Sequence, residues 1–397
     1  MPILASQVAD CVSGYAARLH AAIGADHHVA SPLGAWLLLA LAGPASSGAS
    51  RDTLTEALGC DVDTAARTAA DLLAHPHPLV ASAAAVWTAA GEKFSPEFGQ
   101  WRARLPREVT TGEMPGRAAL DAWAREHTFG LIDHMPVPDE QLSLVLASAL
   151  ATKVSWQQPF VLAPADSLGP ASPWASQVRQ VLRTPSGPGA AGHTQFIASS
   201  PEAGEVIVHM ASATGGLAVV SVAAAPGVPY DRVLAAAYRI GCRLGAGQGV
   251  DRLSLAELPL GDQPLWLVRE VTAAADSCVA VLPAWSATSE HDLSAPALGF
   301  AAAKQALVPA ASRWQAEQAA TARYTRTGFE AAAIGAISVP SAMRLPARHR
   351  EAELRFGSPY AVVALTTGNG TGSRWHGLPV FSAWVSEPDD AAQDGQA

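Results

Sequence analysis

The stretch Gly328-Phe329-Glu330-Ala331-Ala332-Ala333-Ile334-Gly335-Ala336-Ile337 decides the fold of this chain. Apart from Phe329 and the two isoleucines, its side chains are small or, at Glu330, charged. Side chains of a β-strand alternate between its two faces, so Phe329 and every second residue after it would share one apolar face. Glu330 would lie on the other face. The pattern predicts a segment able to add to a sheet as a strand. The alternative is a surface loop that shares the alanine bias of the whole chain.

Five other segments are informative because of their order and spacing. They are Ser31-Pro32 with Gly48-Ala49-Ser50 and Leu58-Gly59; Leu120-Asp121-Ala122-Trp123 with Thr128, Gly130 and Ile132; Ser148 to Trp156 with Phe160; Leu282-Pro283-Ala284-Trp285 with Asp292-Leu293 and Leu298-Gly299-Phe300; and Phe356-Gly357-Ser358-Pro359-Tyr360 with a last strand ending at Pro388. Together with residues 328–337, and in the same order over nearly the whole chain, they resemble the serpins, a family of serine protease inhibitors. The resemblance is to bacterial-like members without a signal peptide.

This resemblance implies an α+β protein with a single serpin-like domain over residues 1–388 and a flexible polar tail over 389–397. The expected serpin fold has a large central mixed β-sheet, two smaller sheets, about eight or nine helices and an exposed reactive loop. The reactive loop is expected at about residues 326–355.

Local patterns agree with the α+β class. Helical spacing of apolar residues dominates the first third of the chain, and strand-like runs follow at 142–154, 205–210, 217–223 and 360–365. The stretch 169–192 is rich in Pro, Gly and Ser and is expected to form a loop.

In serpins a protease attacks the exposed loop and forms an acyl-enzyme, and the cut loop inserts into the main sheet before water releases the protease. The resemblance therefore implies a metastable inhibitor of a serine protease that acts as a suicide substrate and is not itself an enzyme. Three alternatives remain open: inhibition of a cysteine protease, a non-inhibitory binding or structural role, and an enzyme of unrecognised type.

The position of the cleaved bond follows from the family's count, in which Gly328 is the fifteenth residue before it. The reactive bond is then Ala342-Met343, and its small first residue suits an elastase- or subtilisin-like protease. Arg344-Leu345, two residues further on, is the rival bond and suits a trypsin-like protease. The resemblance assigns the loop hinge to Gly328, Phe329, Glu330, Ala331, Ala332 and Ala333.

Four positions depart from the family pattern. Phe329 stands where inhibitory members carry Thr or Ser, and forcing a ring into such a slot costs about 1–3 kcal/mol. A barrier raised by about 1.4 kcal/mol slows a step tenfold, so this residue bears directly on inhibition. Ser148 and Gln318 replace an Asn and a His that are bonded beneath the sheet, and Arg326 replaces an acidic residue. The region where the sheet opens is assigned to Ser31, Ser148, Trp156 and Gln318.

Charge and hydropathy exclude several classes of partner. The formal net charge of −9 argues against nucleic acid, which needs a basic surface to neutralise its phosphates. The longest apolar stretch, at 35–42, is too short to span a bilayer, so no membrane partner is expected. The expected partner is a target protease, and the protein itself is expected to be a monomer.

No residue pattern indicates a catalytic, metal or cofactor site. Gly245-Ala246-Gly247-Gln248-Gly249 does not match a dinucleotide-binding motif and is interpreted as a tight turn. His27-His28 and His75-Pro76-His77 do not complete a ligand set and are interpreted as solvated loop histidines. We therefore expect no cofactor and no metal.

The cysteines and the N-terminus bear on the compartment. Cys11, Cys60, Cys242 and Cys278 have no CxxC spacing and are expected to be buried small hydrophobic residues rather than a disulfide framework. The first ten residues resemble an amphipathic helix start, not a secretory signal, because no basic region precedes their apolar part. A cytoplasmic protein is expected, or an extracellular one if the start is misassigned or export is unconventional.

Overall fold

The computed structural model describes residues 4–91, 94–135, 142–186, 191–308, 313–329, 347–367 and 373–393. Over these ranges the chain forms eight α-helices and three β-sheets, and the predicted α+β class is confirmed. None of these helices combines the length and the apolar character needed to cross a bilayer. The helices are α1 Ala5–Ile23, α2 Pro32–Ala42, α3 Gly48–Leu58, α4 Val62–Ala74, α5 Pro96–Ala103, α6 Arg117–His127, α7 Tyr230–Gly245 and α8 Phe300–Leu307.

The strands that were expected from the sequence are all present, and several others join them. The strands are β1 His28–Ala30, β2 Val80–Thr88, β3 Val109–Glu113, β4 Leu144–Thr152, β5 Val154–Ser155, β6 Val161–Pro164, β7 Gln180–Arg183, β8 His193–Ser200, β9 Gly204–Ala213, β10 Leu217–Ala224, β11 Gly261–Asp262, β12 Trp266–Ala273, β13 Ser277–Leu282, β14 Trp285–Asp292, β15 Trp314–Tyr324, β16 Gly328–Phe329, β17 Ala347–Arg355, β18 Tyr360–Thr366 and β19 Pro379–Val385.

The largest sheet is mixed and has the order β3-β2-β4-β15-β16-β5, with β14 also paired to β15. The two six-stranded sheets have the orders β1-β19-β18-β10-β9-β8 and β11-β12-β17-β13-β7-β6. The motif Leu120-Asp121-Ala122-Trp123 lies in α6, which packs on the main sheet: Trp123 meets Trp87 of β2 edge-on with ring centroids 5.2 Å apart.

Helix α2 lies at the centre of the molecule behind the main sheet, and all of its residues are buried. The sequence explains where it begins. Ser31 caps the helix by accepting a hydrogen bond from the Gly34 N–H at 3.2 Å, and Pro32 occupies the first helical position, where no N–H is needed. Gly34 itself must be small, because a Cβ there would lie 3.1 Å from Ser31 Oγ and 3.4 Å from Ser148 Oγ.

The main sheet is divided along the line between β4 and β15. These two strands are parallel, and within the described ranges 142–186 and 313–329 they pair only at their lower ends, where Trp314 lies opposite Leu144 and Ala316 opposite Leu146. At the upper end, β16 lies between β5 and β15 instead. The sheet is therefore closed at the bottom and held one strand wider at the top.

Four expectations need correction. The expected reactive loop is too long at its C-terminal end, because residues 347–355 form β17 between β12 and β13. The tail does not fray at Asp389: its N–H donates to Ala284 O at 2.7 Å, and Asp390 pairs with Arg179 at 2.9 Å. The loop expected at 169–192 contains β7. His28 and His77 are buried, not solvated: they are 3% and 9% exposed, and His28 packs against His20 with ring centroids 5.0 Å apart.

Candidate functional site

The turn between β15 and β16 brings the chain to the upper edge of the gap. The Thr325 hydroxyl organises this turn, since it accepts from the Gly328 N–H at 3.2 Å and donates to Gly328 O at 3.0 Å. The backbone N–H of Thr325 donates to the same carbonyl at 2.9 Å. The turn therefore reverses the chain in a fixed geometry, and β16 starts downward beside the strand that precedes it.

A second segment, residues 156–160, clamps this turn from the side through three carbonyl groups. The indole N–H of Trp156 donates to Thr325 O at 3.0 Å, and its backbone N–H donates to Thr327 O at 3.0 Å. The Phe160 N–H donates to Arg326 O at 2.9 Å. Consecutive carbonyls that would otherwise lack partners are thus satisfied, and the entry point of the hinge is held in place.

Phe329 is buried at the top of the gap, with 3% of its surface exposed. It lies opposite Tyr324 of β15 and Val154 of β5, and its ring meets Trp285 edge-on with centroids 6.2 Å apart. Tyr324 is stacked on the other side of Trp285 and also contacts Trp156 at 5.0 Å between centroids. The slot is therefore built from aromatic rings and accommodates a phenyl ring. Two polar atoms of its walls, Tyr324 Oη and Trp285 Nε1, are buried without a hydrogen-bond partner among the described residues.

Two histidines lie directly behind this aromatic cluster. Phe160 contacts the rings of His193 and His209, at 4.6 Å and 5.4 Å between centroids, and the two histidines share a hydrogen bond of 3.1 Å between Nδ1 of His193 and Nε2 of His209. His193 Nε2 lies 2.7 Å from Gln158 O. Burial lowers the pKa of both histidines, and the positive charge that His193 would carry lowers the pKa of His209 further. Both rings are therefore neutral at pH 7, which suits an apolar cluster.

Lower in the gap, Gln318 joins the main sheet to the start of α2. Its Oε1 accepts from the Ser31 N–H at 2.8 Å and its Nε2 donates to Ser31 O at 2.8 Å, so one buried amide satisfies both backbone groups of one residue. The Ser31 hydroxyl donates to Val380 O at 2.8 Å, which extends the link to β19. Ser148 lies on the neighbouring strand and near Gly34, but it does not hydrogen-bond to Gln318.

The four residues predicted to open the sheet therefore lie in two places. Ser31, Ser148 and Gln318 share the middle of the gap, whereas Trp156 belongs to the upper end beside Tyr324. Tyr324 lies six positions after Gln318 in β15, or about 20 Å away at the rise of an extended strand. Of the predicted hinge, Gly328 and Phe329 are described and both are buried. Glu330, Ala331, Ala332 and Ala333 lie outside the described residues, as do Ala342-Met343 and Arg344-Leu345.

A family model for serpins (serine protease inhibitors) matches residues 14–164. This part of the chain matches the serpin family, and the chain as a whole has the serpin fold. Among solved structures, human thyroxine-binding globulin complexed with thyroxine gives a TM-score of 0.65 at 12% identity, covering 97% of this chain and 100% of that one. The thermophilic serpin Tengpin in its native state gives 0.65 at 12% identity over 96% of this chain and 94% of its own. Serpin48 from the insect Tenebrio molitor gives 0.61 at 14% identity, with 96% and 98% covered. No curated protein sequence matches this chain.

Serpins are generally protease inhibitors rather than enzymes, and their usual partners are target proteases. Within the described ranges, no three His, Cys, Asp or Glu side chains gather in the way a metal ion requires. The arrangement offers a strand slot, hydrogen-bonded backbone and apolar side chains, all suited to receiving a peptide strand.

Sequence reasoning missed several residues of this site. Thr325 organises the turn and Trp285 walls the Phe329 slot, but neither was assigned to the site. Trp285 was detectable, because it lies inside one of the quoted motifs. Thr325 gave no signal, since a hydroxyl one residue after a strand is compatible with many turns. His193 and His209 could not have been placed either, because only the fold brings them behind Phe160.

Proposed function

We propose that this protein inhibits a serine protease irreversibly, as a suicide substrate whose cut loop inserts between β4 and β15 and traps the acyl-enzyme. One observation carries the proposal: β16 already occupies the top of the gap and is antiparallel to both neighbours. The chain that follows β16 needs only to continue in the same direction to complete a central strand. Insertion would begin from a hinge that is in place before the protease arrives.

The register of β16 supports this continuation. Phe329 lies opposite Tyr324, so each further step of two residues would place the next inward side chain opposite Ala322, Ala320 and then Gln318. The corresponding residues are Ala331, Ala333 and Gly335. Two alanines would meet two alanines, and glycine would pass over the Gln318 amide, which is the one bulky polar group in the path. Side-chain size along the segment thus agrees with the space that β15 offers.

The closed lower end of the sheet supplies the barrier and part of the driving force. Full insertion must separate the short parallel pairing between Leu144–Leu146 and Trp314–Ala316 and replace it with two long antiparallel ladders. A state that leaves such pairing unmade stores free energy that cleavage of the loop can release. Inhibition is then a race between strand insertion and hydrolysis of the acyl-enzyme.

We propose Ala342-Met343 as the reactive bond, cut by an elastase- or subtilisin-like protease in the compartment where the protein is made. Arg344-Leu345 would instead direct the protein to a trypsin-like protease. The two bonds are distinguished by the first residue of the released C-terminal peptide after complex formation. Met343 is expected, and a peptide starting at Leu345 would overturn the assignment.

The test of the function is incubation with a panel of elastase-, subtilisin-, trypsin- and papain-like proteases, read on a denaturing gel. A covalent complex with a serine protease is expected. Two variants sharpen the result: Ala331→Asp places a charge on the inward face and should convert the protein into a substrate, whereas Ala332→Asp places it on the outward face and should leave the complex. Cleavage without any complex across the whole panel, or equal effects of the two variants, would contradict loop insertion.

A second candidate function, carriage of a small apolar ligand, is favoured by a cavity of about 770 Å³ between α1 and α7. Small side chains on α1, among them Ala9, Ser13 and Ala17, face Leu234 and Ala235 across it. Cavities of this volume and apolar lining are typical of ligand sites. The similarity to a globulin solved with thyroxine gives a first compound to try.

This candidate is tested by calorimetric titration with thyroxine and a panel of apolar ring compounds. Ala17→Trp should fill the cavity and abolish binding, and Ala22→Trp, on the same helix but away from the cavity, should not. Lack of heat with every compound, or equal loss in both variants, would exclude the cavity as the ligand site.

A further inference from the structure

Helix α1 is braced against the C-terminal end of α3. Arg18 Nη1 donates to Ala57 O at 2.8 Å, and Cys11 Sγ donates to Gly59 O at 3.5 Å. Arg18 and Cys11 are seven residues apart, which is two helical turns, so they lie on the same face of α1. Two contacts on one face fix both the distance and the rotation of α1 relative to the end of α3.

Cys60 sits in the two-helix corner that this face of α1 covers. Gly59 ends α3 in the left-handed conformation at φ 71°, and a Cβ there would lie 3.6 Å from Cys11 Cα. Asp61 then caps α4 by accepting from the Thr64 N–H at 3.0 Å. The backbone on both sides of Cys60 is therefore held by helix ends, and its thiol interacts with that of Cys11, whose sulfur lies 3.5 Å from Gly59 O.

The two thiols of this pair are chemically unequal. The hydrogen bond from Cys60 lowers the pKa of Cys11, although burial and the Asp10 carboxylate act in the opposite direction. The same hydrogen bond raises the pKa of Cys60, and burial adds to that effect. By contrast, burial raises the pKa of both Cys242 and Cys278. A thiolate is the nucleophile in disulfide exchange, so Cys11 is the first of the four cysteines to react.

We propose that Cys11 and Cys60 form a redox modification site, which a low-molecular-weight disulfide converts reversibly into an intramolecular disulfide bond. Cys11 thiolate attacks one sulfur of the oxidant and forms a mixed disulfide, and one thiolate leaves. Cys60 then loses its proton and attacks the Cys11 sulfur of the mixed disulfide, and a second thiolate leaves. Two protein thiols are oxidised, the oxidant is reduced to two thiols, and no other reactant is needed. Both cysteines are half-buried rather than enclosed, so a small oxidant can reach them.

The bond would tie α1 to the corner between α3 and α4 and close a long loop of chain. Closing such a loop restricts the unfolded chain, and in a chain of this size we expect a rise in Tm of about 5 °C. This effect depends only on thiol chemistry and is independent of protease inhibition.

The experiment treats the full-length, reduced protein with oxidised glutathione, alkylates the remaining thiols and maps the peptides by mass spectrometry. We expect one linked pair of peptides, Cys11 with Cys60, lighter by two hydrogen atoms and restored by dithiothreitol. Cys242 and Cys278 serve as internal controls and should carry the alkylating group. Brief alkylation of the reduced protein should label Cys11 before the other three.

Two variants test the order of events. Cys60→Ser removes the resolving thiol, so glutathione should accumulate on Cys11, and Cys11→Ser should leave Cys60 unmodified over the same time. Absence of the linked pair in folded wild-type protein, a link that involves Cys242 or Cys278, or modification of Cys60 as fast as Cys11 would overturn the proposal. The wild-type map and the alkylation order decide the matter even where a variant does not fold.

Discussion

Phe329 contributes its ring to the folded body before any protease acts, because it is already buried between β5 and β15. From the sequence, the Phe329 ring was expected to overpack a slot that holds Thr or Ser in inhibitory serpins. The contact with Trp285 at 6.2 Å shows instead a slot whose walls are aromatic. Removing the ring should therefore release the hinge rather than ease its entry.

For Phe329→Thr we expect a loss of about 2–4 kcal/mol in unfolding free energy, as for other large-to-small changes in a packed core. The stoichiometry of inhibition against one protease should rise, because the first inward residue would no longer be in place when cleavage occurs. Phe98→Thr is the matched control: this ring is equally buried beside Phe94, far from the hinge, and should lower stability without changing the stoichiometry. A fall in stoichiometry for Phe329→Thr would show that the ring obstructs insertion.

Gln318 is the second residue whose removal has a defined consequence. Gln318→Ala would leave the Ser31 N–H buried without a partner, and an unpaired buried group costs about 1–3 kcal/mol. Ser31 O would lose one of its two donors but keep the Ala35 N–H at 3.1 Å. We expect a lower urea midpoint. Ser148→Ala is the matched control on the facing strand, and it should change stability by less than about 0.5 kcal/mol, since that hydroxyl is not bonded to Gln318. Equal effects of the two variants would mean that the amide does not bridge the sheet and α2.

At the scale of elements, β4 and β15 are nine and eleven residues long but pair through only three residues each. Within the described residues, most of the facing edges of these two strands therefore lack pairing with each other. Cutting the loop near Ala342 should let the freed strand enter this line and pair with both neighbours. We expect the nicked protein to melt at a higher temperature than the intact one, because it gains a central strand. The comparison needs calorimetry before and after limited proteolysis, with an Ala331→Asp variant as the control that is cut without gaining stability. An unchanged or lower Tm in nicked wild-type protein would rule out insertion.

Elements with strong local patterns could be predicted from the sequence, and those that depend on distant partners could not. β4 and β18 are apolar runs bounded by turn residues, and both formed where expected. β7 was hidden within a Pro- and Gly-rich stretch, because only its pairing with β6 and β13 makes it a strand. β16 is two residues long and exists only because β5 and β15 flank it. For the same reason Trp156 was assigned to the sheet opening but not to its upper end.

At the scale of the whole molecule, buried histidines make stability depend on pH. His20 Nδ1 lies 2.8 Å from His28 Nε2, and the His20 Nε2 lies 2.7 Å from Ser382 Oγ. Burial lowers the pKa of His20 to about 3 and that of His28 to about 4. In the unfolded chain both would titrate near pH 6.5. As the pH falls below about 6.5, these two histidines therefore become protonated in the unfolded state but stay neutral in the native state, which lowers the unfolding free energy.

We expect the unfolding free energy to be level above pH 7.5 and to fall between pH 6.5 and pH 5, by about 1.4 kcal/mol per pH unit for each histidine that stays neutral. Urea titrations across this range provide the measurement. His28→Gln keeps a hydrogen-bond partner for His20 and removes one titrating group. It should reduce the slope by about 1.4 kcal/mol per pH unit, the contribution of one proton. Leu19→Ala is the control, because it is a buried change beside His20 that removes no titratable group and should leave the slope unchanged. A flat profile in wild-type protein would mean that the buried cluster is protonated when folded.

The segment that follows the reactive loop contributes strands to two different sheets. β17 lies between β12 and β13 in one, whereas β18 and β19 lie side by side between β10 and β1 in the other. A single peptide-bond cut in the loop would therefore not divide the particle. The product is a non-covalent heterodimer that elutes as one species from a sizing column. It separates into two polypeptides only in denaturant, and the same two pieces, expressed separately, are candidates for reassembly into one fold.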